Sequence, residues 1–185
     1  MGFRVTLLSV QAGDADKILQ SLSLTATSEA DPENKTPLSG ASNGETYIIW
    51  GNDDAYRFSD DRLLMASRLG PILMLRANET VMISEVAKFD HGQKQWSLVH
   101  DCNEGLDHLA PWGDLPAIWQ TIRDDLSAEA AAEDDDVVDF IYDAPVVLFQ
   151  HLSGFRHDES HELQFVTLSG EHSARVRKPF WKFWV

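Results

Sequence analysis

The sequence predicts a single α+β domain in which a mainly antiparallel sheet packs against helices. Three observations carry that expectation. Three β-rich runs, Ile72 to Arg76, Val81 to Phe89 and Gln95 to His100, are separated by Asn78-Glu79 and by Asp90-His91-Gly92-Gln93, turn chemistries that join antiparallel neighbours into a central three-strand meander over about 72–100. Leu115, Ile118, Trp119, Ile122 and Leu126 recur with the 3.6-residue period of a helix. With 43% hydrophobic residues, six Trp and nine Phe, the 185-residue chain has the bulk for one core, and no internal repeat or linker divides it.

In chain order, Phe3 to Val10 reads as a buried strand, and Ala12 to Leu24 as a helix behind Asp14 with Ile18, Leu19 and Leu22 on one face. Residues 25–45, rich in Thr, Ser, Asn, Pro and Gly, predict a long mobile loop. Thr46 to Trp50 is a second strand, and Asp60 or Asp61 caps a helix carrying Leu63, Leu64 and Leu69 before Gly70-Pro71 ends it. In the middle run of the meander, Val81, Ile83, Glu85, Ala87 and Phe89 share one face, while Met82, Ser84, Val86 and Lys88 share the other. Asp101 to Gly113 is expected to be a loop and Asp114 to cap the next helix, with a short strand over Val137 to Tyr142. Asp143 then caps a helix that runs through Pro145 to Leu152 and is closed by Gly154. Glu162 to Leu168 is the last strand, and residues 175–185 form a basic, aromatic tail.

The charge balance narrows the partners. Thirty Asp and Glu against 15 Lys and Arg leave a formal net charge of −15. Such a field repels phosphate backbones and anionic lipid, so nucleic acid and membrane surfaces are poor partners and positively charged proteins are favoured. The N-terminal residues show neither a signal peptide nor a membrane span, and the single Cys102 rules out an intramolecular disulfide; both point to a cytoplasmic protein.

Four groups of residues could carry chemistry. His157 and His161, four apart, with His151 before them and Asp158 between them, have the residue types of a zinc site. They depart from the zinc-protease helix pattern, which places Glu directly after the first His, where this chain has Asp158. His100, Asp101, Cys102 and His108 bring a thiol near two imidazoles, but Asp101 and Glu104 work against a thiolate. Asp124, Asp125, Glu129, Glu133, Asp134, Asp135, Asp136, Asp139 and Asp143 form an acidic belt without the Gly that a calcium loop requires. In the tail, Trp181, Phe183 and Trp184 stand with Arg175, Arg177, Lys178 and Lys182, as residues that anchor a partner or fold back onto the domain do.

No phosphate-cradling Gly loop, Gly-x-Ser-x-Gly elbow or zinc-ribbon cysteine pattern occurs. The reading therefore leans away from an enzyme. It favours a non-catalytic interaction protein, such as an inhibitor, adaptor or immunity-type binder, that presents Asp134, Asp135, Asp136, Asp139 and the tail aromatics to a basic partner. No cofactor is expected. Two alternatives stand beside it: a small metal-dependent hydrolase using His151, His157, His161 and Asp158, and a structural subunit of a homo-oligomer or homodimer.

Overall fold

β1 (Arg4–Gln11) is apolar on both sides, and that places it inside a sheet with two covered faces. Val5 and Leu7 enter one hydrophobic cluster, while Leu8 and Val10, one pleat out of phase, enter another. The computed structural model describes residues 2–52, 58–132 and 140–170. Among these described residues lie one nine-stranded, wholly antiparallel sheet and four α-helices, a mixed α+β architecture.

The remaining strands are β2 (Leu24–Ala30), β3 (Leu38–Ser42), β4 (Thr46–Asn52), β5 (Ile72–Asn78), β6 (Ile83–Asp90), β7 (Gln93–Asp101), β8 (Ala110–Gly113) and β9 (Val166–Gly170). Their spatial order is β2-β9-β3-β4-β1-β5-β6-β7-β8. β5, β6 and β7 pair in succession, and the middle position belongs to β1, which lies between β4 and β5.

Helices α1 (Ala15–Ser21) and α2 (Asp60–Ala66) supply Ile18, Leu19, Leu63 and Ala66 to the cluster that holds Leu8 and Val10. Helices α3 (Ile118–Ala132) and α4 (Asp143–Ser153) supply Ile122, Leu126, Val146, Leu148 and Phe149 to the cluster on the opposite face. Ser59 is the N-cap of α2, accepting from the Arg62 N–H, so Asp60 and Asp61 lie in its first turn and are not its caps. Phe140–Tyr142 is a 3₁₀ turn leading into α4, where a strand over 137–142 was expected; the rest of that strand lies outside the described residues. The Ser84 hydroxyl donates to the Tyr142 carbonyl at 2.7 Å and ties this turn to β6.

The long loop expected over residues 25–45 is instead two strands and a turn. β2 and β3 are polar or small in sequence, but each pairs with β9, a partner more than 120 residues away that local pattern cannot reveal. The true turn, 31–37, is held from within. Buried Asp31 accepts from the backbone N–H groups of Lys35 at 2.8 Å and Thr36 at 3.0 Å, and Asn52 donates to the carbonyls of Asn34 and Thr36. The region expected as a loop from Asp101 to Gly113 likewise contains β8, whose Ala110-Pro111-Trp112-Gly113 has little of a strand's usual composition.

Gly40 in β3 lies beneath the Tyr47 ring. A Cβ at this position would run into the Tyr47 hydroxyl and come within 2.8 Å of two ring carbons. Gly40→Ala is therefore expected to destabilise the fold by about 1–3 kcal/mol through overpacking in urea unfolding. Gly13→Ala, where nothing lies within 4 Å of the added atom, is the expected near-neutral control.

Candidate functional site

The segment after α4 gathers most of the chemistry that the sequence singled out. Gly154 takes the left-handed conformation (φ 71°) that ends the helix. The Ser153 hydroxyl donates to the Phe149 carbonyl at 2.7 Å and accepts from the Phe155 N–H at 3.2 Å. This turns the chain back and buries Phe155 against Trp50 and Phe165, with ring centroids 6.1 and 6.0 Å away.

Arg156, with 15% of its side chain exposed, spans two carboxylates. Its Nε and Nη2 donate to the two oxygens of Asp158 at 2.7 and 3.1 Å, and Nη2 also donates to Asp143 at 2.9 Å. The fork locks the segment to the first residue of α4. Hydrogen bonding to Asp158 raises the Arg156 pKa despite burial. Burial works to raise the Asp158 carboxyl, but the Arg156 hydrogen bonds and the nearby positive charges outweigh it and hold that carboxyl below its ordinary value.

His157 is buried beside this fork, its side chain 2% exposed, with the Phe3 ring packed edge-on at 5.1 Å. Its Nε2 lies 3.5 Å from Glu79 Oε1 and its Nδ1 3.9 Å from Asp158 Oδ1; neither nitrogen makes a hydrogen bond. The two carboxylates face opposite ring nitrogens, so they cannot close on one ion together with the imidazole. His161 packs between Phe155 and Phe165 at 5.1 Å from each, and His151 is exposed in the last turn of α4. The four-residue spacing of His157 and His161 falls outside helix and strand, which removes the geometry that would aim both rings at one point. Among the described residues no group of three or more His, Cys, Asp and Glu side chains is placed to hold a metal ion.

The group around Cys102 holds the loop between β7 and β8. His100 Nδ1 lies 2.9 Å from the His108 carbonyl, which only accepts, so this nitrogen carries a proton. His108 Nδ1 accepts from the Asp101 N–H at 3.0 Å, which places the proton of the neutral ring on Nε2. The Cys102 thiol donates to the Val81 carbonyl at 3.3 Å. In the acidic belt, Asp124, Asp125 and Glu129 are exposed on α3. Asp134, Asp135, Asp136 and Asp139, together with Trp181, Phe183 and Trp184, lie outside the described residues.

Two features escaped the sequence reading. Arg76 and Glu85 are cross-strand partners on the α2 side, joined at 2.8 Å; Arg76 also meets Asp60 at 3.0 Å, and Lys94 meets Asp60 at 2.9 Å. This four-charge group pins the start of α2 to the sheet. Burial works to raise Asp60, but hydrogen bonds from Lys94 and Arg76 outweigh it and lower its pKa. The alternation of β5 and β6 was the available signal, since it puts Arg76 and Glu85 on one face.

The second feature, among the described residues, is a pair of exposed apolar side chains. The cluster beneath α1 and α2 contains no residue of β7 or β8, and there Trp112 (56% exposed) stands opposite Ser97, with Leu106 (57% exposed) in the adjoining loop. Between Lys94 and Arg123 the chain has Asp101, Glu104, Asp107 and Asp114 but no Lys or Arg.

No protein-family profile matches the chain, and comparisons with curated proteins and with solved structures return no match.

Arg156→Lys keeps the charge but loses the planar fork. With Asp143 40% and Asp158 34% exposed, we expect a loss of about 1–2 kcal/mol in urea unfolding at pH 7. Asp158, with a folded pKa below its ordinary 3.8, contributes fully above that value and loses its contribution as pH falls through the lowered one. The gap between wild type and variant should therefore narrow below about pH 4.

Proposed function

We propose that this protein is a non-catalytic binder that presents acidic surface to a basic partner, as an inhibitor, adaptor or immunity-type protein does. The observation that carries the reading is the β7–β8 side of the sheet: Trp112 and Leu106 are exposed where helix cover ends, within a stretch that holds four acids and no Lys or Arg. An indole with carboxylates nearby suits a cationic side chain, because a guanidinium can stack on the ring while its charge meets the acids. The net charge of −15 speeds encounter with a partner of opposite sign and opposes nucleic acid and anionic membrane.

Recognition runs through side chains rather than by strand addition. β8 has four residues, and its Pro111 lacks the N–H that a further strand would need. Asp134, Asp135, Asp136 and Asp139 extend the negative field by charge alone. The segment after α4 supports the same reading, since its buried groups brace one another and the Arg156 fork is spent on structural carboxylates.

The test is capture by the immobilised 185-residue chain from a lysate of its source, in parallel with a Trp112→Ala, Leu106→Ser variant whose fold is checked by circular dichroism. The expected outcome is a discrete basic protein that is retained at low salt, released at high salt, and reduced at least tenfold on the variant. Recovery of no basic protein, or equal recovery by both, would overturn the proposal.

A further inference from the structure

A buried imidazole without hydrogen bonds is costly, because its polar nitrogens have lost water and gained nothing in return. His157 is in that position. The groups around it come from three places. The first residues of the chain contribute the Phe3 ring, and the turn between β5 and β6 contributes Glu79. Its own segment contributes Asp158 and Arg156, the latter held by Asp143 as well. The seal over the ring hangs on the end of the β1–β5 pairing: the Phe3 N–H donates to Glu79 Oε2 at 2.9 Å, the Glu79 N–H donates to the Phe3 carbonyl at 3.0 Å, and Arg4 Nε donates to Thr80 at 3.2 Å.

We infer that His157 is a proton-operated latch that keeps residues 155–162 closed against Phe3 and the β5–β6 turn while neutral, and releases them when it gains a proton. Burial opposes the charged ring, and Arg156 adds to that opposition; Asp158 and Glu79 favour the charge but do not prevail, so the closed form holds the ring neutral. In a locally open form, water restores the ordinary value near 6.5. Below that pH the open form binds more protons than the closed one. Opening therefore becomes easier as pH falls from about 6.5 toward the lowered pKa of the closed form, by at most about tenfold per pH unit, and is insensitive to pH above that window. Phe3 and residues 155–162 lie outside helix and strand, and such segments open at less cost than the paired centre of the sheet.

The test is hydrogen exchange of the full chain, followed by mass spectrometry at pH 7.5 and pH 5.0 and corrected for the intrinsic rates. Protection over residues 2–5 and 155–162 is expected to fall several-fold at the lower pH in the wild type. It should stay constant over the centre of β5 in the wild type, and over all these segments in His157→Gln. An equal pH response in wild type and His157→Gln would overturn the inference. Should the variant fail to fold, the NMR titration of the His157 ring in the wild type decides: a midpoint below 6.5 supports the latch, and one at or above 6.5 overturns it.

Discussion

Burial of both faces of one sheet is the constraint on which the rest of this structure depends. A strand covered on one side alternates apolar and polar residues, whereas a strand covered on both carries apolar residues toward each face. β1 does so with Val5 and Leu7 on one side and Leu8 and Val10 on the other, its Thr6 and Ser9 buried among them. Leu7 and Leu8 are wholly buried in opposite clusters, and the strand lies between β4 and β5 at the middle of the sheet. The two helix pairs belong to separate clusters, so they are coupled through the sheet. The apolar cover on the α1 and α2 side stops at β6, with Ala87 and Phe89 its last strand residues in that direction. Beyond that limit Trp112 remains in solvent.

Several charged groups that leave water do so in small sets that pair them. Asp31 organises the turn between β2 and β3, Arg76 with Glu85, Asp60 and Lys94 fixes the start of α2, and Arg156 with Asp143 and Asp158 fixes the segment after α4. Each pairs or hydrogen-bonds its charges, which limits the cost of removing them from water. Cations are scarce and several are used in these sets. The carboxylates left over, such as Glu104, Asp107 and Asp114, face solvent and give the surface its sign.

The parts of the fold legible in the sequence were those whose burial leaves a local period. β1, the runs that became β5, β6 and β7, and the stripe of α3 follow from alternation or from the 3.6-residue repeat. β2 and β3 were not legible, because Thr, Ser, Gly and Ala give no local strand signal and their partner β9 lies at the far end of the chain. β8 was hidden by Pro111 and Gly113. Of the candidate sites, the sequence marked His157 as unusual but not why: its environment is made by Phe3 and Glu79, which approach only through pairing of distant segments. Spacing alone suggested a metal pair with His161, and spacing lost its meaning once neither helix nor strand formed there. No local period marks Trp112 as exposed, since where helix cover ends is a property of the assembled sheet.

Binding of a basic partner through the β7–β8 surface, as proposed above, is open to a direct test. The most direct measurement is a hydrogen-exchange footprint of this chain in complex with a basic protein recovered in the capture experiment. The claim predicts new protection over residues 95–114, with little change in α1 and α2. Protection confined to α1, α2 or the segment after α4, with 95–114 unaffected, would contradict it.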